Sequence, residues 1–126
     1  MLKFKTKERK MIKTVVNRGD VFYADLGHDG TNRQGGIRPI VIVSNQQCNR
    51  YSPIVSVVCL STSKTKHPLP THIELKAIET GLRKDSICLC EQPMSISKSV
   101  LLDFVVALED KFMRKIEDGL RCQLCL

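Results

Sequence analysis

Gln34-Gly35-Gly36-Ile37-Arg38-Pro39-Ile40-Val41-Ile42-Val43 is the stretch on which the reading of this chain turns. The paired glycines close a polar segment, Gly27 to Gly36, that holds four glycines in all and reads as a long loop. The apolar, β-branched run Ile40-Val41-Ile42-Val43 then reads as a buried strand. Pro39 has no N–H to give to a ladder, which puts it at the start of that strand. Upstream, Val21-Phe22-Tyr23-Ala24-Asp25-Leu26 reads as another strand.

Downstream, Ile54 to Leu60 is a third strand, rich in Val. Ser61 to Pro70 is polar and basic with two prolines, a second exposed loop. Thr71 to Leu75 and Ser86 to Gln92 are further strands, Ser97 to Leu101 a short helical turn, and Phe104 to Leu108 a last strand. From Glu109 the apolar period changes. Phe112, Met113, Ile116, Leu120 and Leu124 recur at helical spacing between charges, which predicts an amphipathic C-terminal helix covering the sheet or a subunit interface. Six short strands and one terminal helix predict a mainly β fold with α, a small antiparallel barrel with helical caps. The two polar loops flank adjacent strands, so their side chains can converge on one face.

A chain of 126 residues has room for one domain, and 42% hydrophobic with 26% charged residues is a globular composition. The apolar stretch nearest the N-terminus, Met11 to Val16, is broken by Lys13, so it lacks the core of a secretory signal. Nothing approaches the roughly 20 apolar residues of a membrane span. The expectation is a soluble, cytoplasmic protein.

The net charge of +7 is unevenly spread. Residues 1–18 carry five Lys, two Arg and one Glu, and the remainder is close to neutral. Residues 1–16 therefore read as a basic tail and 17–126 as the domain, which opens at Arg18-Gly19-Asp20. The tail is either a solvated arm or an arm that adds attraction to phosphates. From Gly30 to Ile73 there is no Asp or Glu, whereas Arg33, Arg38, Arg50, Lys64 and Lys66 stand there with His67 and His72. An acid-free basic stretch of this length is a footprint for a polyanion.

The chain lacks a Walker-type loop and an HExxH motif, and its histidines do not pair with carboxylates at metal-ligand spacing. A divalent-metal nuclease needs clustered carboxylates, and the basic stretch offers none. If this protein cuts nucleic acid, the expectation is that it does so without metal or cofactor. RNA permits this, because its own 2′-OH can attack the adjacent phosphate. Such a site needs donors for the charge developing on phosphoryl oxygens, a proton acceptor, and a donor for the leaving oxygen. Arginine presents a planar fork that matches phosphate.

Six cysteines stand at 48, 59, 88, 90, 122 and 125. Without an export signal a disulfide framework is not the default. Cys59, Cys88 and Cys90 lie in apolar runs and read as small core residues. Cys122-x-x-Cys125 has the form of half a zinc site, and only the unusually spaced Cys88-x-Cys90 could complete it.

Arg18-Gly19-Asp20-Val21, Ala24-Asp25-Leu26, Gln34-Gly35-Gly36-x-Arg38-Pro39 and Ser44-Asn45 occur in order, followed by Tyr51-Ser52-Pro53, Leu69-Pro70-Thr71-His72-Ile73-Glu74, and Asp85-Ser86 to Glu91-Gln92. This series, over roughly residues 17 to 124, resembles the MazF/PemK toxins. The resemblance implies an SH3-like antiparallel barrel of the MazF/CcdB type, assembled as a homodimer. It implies sequence-specific cleavage of single-stranded mRNA to 2′,3′-cyclic phosphate and 5′-OH ends, and inhibition by a MazE-like antitoxin that blocks the RNA groove. The family's catalytic arginine matches Arg38. Its threonine partner falls on Ser61, which keeps the hydroxyl and loses the methyl, with Thr62 adjacent. Asn45, Leu69, His72, Glu91 and Gln92 match positions that line the groove, and Arg33 and Gln34 lie in the loop that shapes it. Thr62, Lys64 and Lys66 join this substrate-binding set. The Ile-Arg that often follows Glu-Gln in the family is Pro93-Met94 here, which points to a different base preference. An arginine is hard to deprotonate near neutrality, so Arg38 reads as an electrostatic group, with His72 and Glu91 as candidate bases. A CcdB-like toxin that binds gyrase without cutting RNA is the alternative on the same fold, and a non-catalytic RNA- or zinc-binding module is a third reading.

Overall fold

The computed structural model describes residues 15–27, 35–63 and 68–126. Seven strands form one antiparallel sheet: β1 (Asp20–Asp25), β2 (Ile37–Ile42), β3 (Ile54–Ser61), β4 (His72–Leu75), β5 (Ser86–Leu89), β6 (Met94–Ser97) and β7 (Leu101–Ala107). Three α-helices accompany them among the described residues: α1 (Gln46–Tyr51), α2 (Ala77–Thr80) and α3 (Asp110–Leu124). The strand order is β4-β5-β3-β2-β1-β7. β6 pairs with β3 as well, so β6 takes Ile54 to Val57 while β5 takes Leu60 and Ser61 further along the same edge.

Successive side chains on a strand point to opposite faces, and both faces of the central strands of this sheet are buried. Phe22, Ala24, Ile40, Ile42, Val55, Val57 and Cys59 form one core, joined by Met94 and Ile96 from β6. Val21, Val41, Val58 and Leu60 point the other way and pack with Leu75, Cys88, Cys90 and helix α3. Two buried faces account for the continuous apolar run in β2, since a half-exposed strand would alternate. Register shifts between β1 and β7 mark bulges, which add twist to the sheet. Phe22 and Phe104 meet edge to face there, ring centroids 5.5 Å apart.

Helix α3 buries Phe112, Met113, Ile116 and Gly119. Full burial of a side chain such as Ile116 stabilises by about 1.5–3 kcal/mol. Leu124, expected on the same stripe, is 52% exposed. A β-carbon on Gly119 would stand 2.8 Å from the Cys90 sulfur, so only glycine allows this approach. The Cys88 and Cys90 sulfurs lie 3.9 Å apart beneath the helix. The hydrogen bond to Cys90 and deep burial together push the Cys88 thiol well above its ordinary pKa.

Three elements escape a reading by apolar period. β6 raises the expected six strands to seven. It is four residues long, half-exposed, and carries alternate serines. The helix α1 buries Asn49 and no apolar residue, and its signal is the capping residue Asn45, whose side chain accepts from the Cys48 N–H at 2.8 Å. The single turn α2 ends at Gly81 in the left-handed region. The expected strand Ser86 to Gln92 ends at Leu89, where the chain turns. No helix among the described residues is long and apolar enough to cross a membrane.

Candidate active site

Arg38 stands second in β2, opposite Ala24 of β1. Residues paired directly across a ladder point to the same face, so Arg38 shares the face of Phe22, Ala24 and Ile40. Ser61 ends β3, two residues after Cys59, which pairs with Ile40. It therefore lies on that same face. Carrying the β2–β3 register two residues past the Ile40–Cys59 pair sets Arg38 against Ser61. The pair expected from sequence thus shares one face, just past the end of the β2–β3 ladder at Ile40 and Cys59.

From Ser61 a row continues across the sheet. Ser61 pairs with Ile87 of β5, and Ile87 with Glu74 of β4. Ile87 and Glu74 were not among the expected site residues. The signal available for Glu74 was its place two residues from His72 in a strand, which puts both on one face. Glu74 also forms an ion pair with Lys76 at 3.2 Å. That hydrogen bond and the Glu74 charge raise the Lys76 pKa.

Local contacts orient several of these groups. The Arg38 Nε–H donates to the Gly35 carbonyl at 3.1 Å. Ser61 Oγ accepts from the Ser63 N–H at 3.1 Å, and Thr62 beside it is exposed. His72, on the next row, faces Leu89 of β5. Its Nε2 lies 2.9 Å from Glu91 Oε2, and the Thr71 hydroxyl donates to Glu91 Oε1 at 3.2 Å. Leu69 is exposed at the turn before His72, and Gln92 is half-buried after Glu91.

Asn45 sits apart from this group. It follows β2, whereas Arg38 is near the beginning of that strand. At about 3.3 Å per residue, the four steps from Arg38 to Ile42 alone span roughly 13 Å. Arg33, Gln34, Lys64 and Lys66 lie outside the described residues. Of the proposed zinc pairs, Cys88 and Cys90 are buried while Cys122 and Cys125 are exposed on the last turn of α3 and just beyond it.

The face therefore presents a guanidinium, a hydroxyl and carboxylates within a few strand spacings. That set can neutralise a phosphoryl group and accept a proton beside it.

Residues 17–124 match the family described as PemK-like, MazF-like toxin of type II toxin-antitoxin system. The chain is 38% identical over 112 residues to the endoribonuclease EndoA of Bacillus subtilis, covering 89% of this chain and 97% of that protein. It is also 38% identical over 112 residues to the endoribonuclease MazF of Staphylococcus saprophyticus, covering 89% and 93%. Among solved structures, a mycobacterial endoribonuclease in complex with its cognate antitoxin superimposes with a TM-score of 0.71 at 25% identity, covering 90% of this chain and 97% of that one. MazF from Deinococcus radiodurans shares the fold, with a TM-score of 0.76 over 90% of this chain and 100% of that one at 17% identity.

Proposed function

This chain belongs to the PemK-like, MazF-like toxin family of type II toxin-antitoxin systems, and on that premise we propose that it is a metal-independent endoribonuclease cutting single-stranded mRNA at specific sequences. The observation that carries the reading is the face that Arg38 and Ser61 share, continued from Ser61 by the row of Ile87 and Glu74. The 2′-OH attacks the adjacent phosphorus and the P–O5′ bond breaks, leaving a 2′,3′-cyclic phosphate and a 5′-OH. Arg38 holds the non-bridging oxygens as charge builds on them. The Ser61 hydroxyl adds a second donor to the same phosphate. The proton of the attacking 2′-OH goes to a carboxylate bordering this face, and the carboxylic acid so formed returns a proton to the leaving 5′-oxygen.

The other groove residues expected from sequence bind the RNA strand on either side of this centre. Leu69, Gln92 and Thr62 contact neighbouring nucleotides, with Asn45 at the far end of the groove and Arg33, Gln34, Lys64 and Lys66 supplied by the two polar loops. Residues 17–126 form the toxin domain, and 1–16 a basic tail outside it. Two copies assemble into the working unit, in the cytoplasm where mRNA is translated. A MazE-like antitoxin, acidic and partly disordered, competes with RNA for the groove. The mycobacterial relative in complex with its cognate antitoxin supports this class of partner. Binding of both polyanions weakens as salt rises.

The gyrase-binding alternative has the fold in its favour and nothing at the site. Both sequence relatives named above are endoribonucleases. Incubating the purified protein with RNA in EDTA tests the proposal. The expected products carry 2′,3′-cyclic phosphate ends. Activity lost in EDTA and restored by magnesium would remove the mechanism, and intact RNA under all conditions would remove the nuclease reading.

A further inference from the structure

The turn Leu69 to His72 and the turn Leu89 to Gln92 are each closed by their own backbone. The His72 N–H donates to the Leu69 carbonyl at 3.0 Å, and the Gln92 N–H to the Leu89 carbonyl at 3.0 Å. A third backbone bond, from the Cys90 N–H to the Thr71 carbonyl at 3.1 Å, ties one turn to the other. Side chains complete the clasp. Glu91 accepts from the Thr71 hydroxyl with Oε1 and meets His72 Nε2 with Oε2. On the other edge of the imidazole, Nδ1 accepts from the Leu69 N–H at 3.2 Å. The His72 side chain is only 11% exposed.

These contacts specify the chemistry of the ring. A backbone N–H can be received only by an unprotonated nitrogen, so Nδ1 carries a lone pair. A carboxylate receives hydrogen bonds, so Nε2 carries the proton. A general base needs a lone pair aimed at the substrate. The one lone pair of His72 is aimed at its own backbone.

Resting on the endoribonuclease reading above, we propose that His72 is a positioning residue, which clasps the Glu91 carboxylate to the Leu69–Thr71 turn and takes no part in proton transfer itself. Through Nδ1 it sets the turn that carries the exposed Leu69. Through Nε2 it fixes the azimuth of Glu91, whose oxygens each keep a second lone pair. The acid and the apolar side chain are thereby held at a fixed separation at the His72 end of β4, two residues from Glu74, which shares a row with Ser61.

Two measurements on the full chain test this. In ¹⁵N-labelled protein, two-bond proton–nitrogen correlations of the His72 ring report its tautomer, assigned by their loss in H72N. A single species protonated at Nε2 is expected. A ring protonated at Nδ1, or one averaging between tautomers, would overturn the proposal. Steady-state kinetics on a short RNA then compare H72Q and H72N. Glutamine can reproduce the Nε2 donor and asparagine the Nδ1 acceptor, while neither can shuttle a proton. At least one of them should keep kcat within about tenfold of the parent while KM rises by about tenfold or more. A loss of about 100-fold or more in kcat for both, at unchanged KM, would make His72 a proton-transfer group and sink the proposal. Unchanged kcat and KM in both would sink it too. Should the variants not fold, the tautomer of the unsubstituted protein decides. If the unsubstituted protein leaves RNA intact, the functional reading fails, and the tautomer still judges the clasp.

Discussion

Arg38 is tethered to Gly35 three residues before it, Nε to carbonyl oxygen at 3.1 Å, across a Gly36 whose φ is +73°. Using Nε for this bond leaves the two terminal nitrogens of the guanidinium as the fork for a phosphate. The left-handed turn at Gly36 and the aim of the Arg38 guanidinium are therefore one local arrangement.

Arg38→Ala is expected to abolish cleavage, and Arg38→Lys to recover little, because lysine keeps the charge and loses both the fork and the Nε tether. The loss for alanine should be on the order of 10²–10³ in kcat, typical of one transition-state donor. Single-turnover cleavage of a labelled oligonucleotide measures it. Near-parental activity of the alanine variant would exclude Arg38 from the chemistry.

Gly36→Ala should cost about 1–2 kcal/mol of stability from backbone strain alone. A β-carbon there meets nothing within 4 Å, so sterics add nothing. Gly36→Asn should cost less, since asparagine tolerates the left-handed region better. Urea denaturation of the three proteins gives the order, and kcat should fall in the same order as the Arg38 tether is disturbed.

Ser61→Thr should remain active and Ser61→Ala should be strongly impaired. The hydroxyl is the shared feature, and threonine adds only a methyl that restricts χ1. Thr62→Ala should cleave nearly as well as the parent. A reversal, with Thr62→Ala the damaging change, would move the catalytic hydroxyl one residue along.

Gly119→Val should destabilise the fold by roughly 1–3 kcal/mol or more, as overpacking does in a filled core. The obstacle is Cys90, whose sulfur and β-carbon stand 2.8 and 3.1 Å from the would-be β-carbon. Thermal unfolding reads the loss. Cys90→Ala in the same protein should restore part of it.

Brief treatment with iodoacetamide should label Cys48, Cys122 and Cys125, which are exposed, and spare the buried Cys59, Cys88 and Cys90 until the protein unfolds. Alkylation requires the thiolate, and the raised pKa of Cys88 adds chemical protection to steric protection. Peptide mapping by mass spectrometry identifies the labelled sites.

Much of this molecule is determined by sequence alone. The apolar runs at residues 21–26, 40–43, 54–60 and 104–108 specify strands because their periodicity and β-branched content suit no helix of ordinary length. The stripe beginning at Phe112 specifies a helix because its period is 3.6. Arg38 and Ser61 are legible as a pair because the ordered motifs around them bear a family resemblance, a property of the chain rather than of its packing. Short polar elements are not legible in this way. Helix α1 and strand β6 bury too little apolar surface to leave a period, and they form because Asn45 caps one and Ile54 to Val57 offers the other an edge. Only tertiary structure decides which face each residue occupies relative to residues far along the chain. The β3–β5–β4 register places Ser61, Ile87 and Glu74 on one row, and the approach of a distant turn commits the Nε2 of His72 to Glu91. Neither fact is carried by local spacing. A shift of one residue in any of those ladders would turn every one of that strand's side chains to the opposite face and disperse the site.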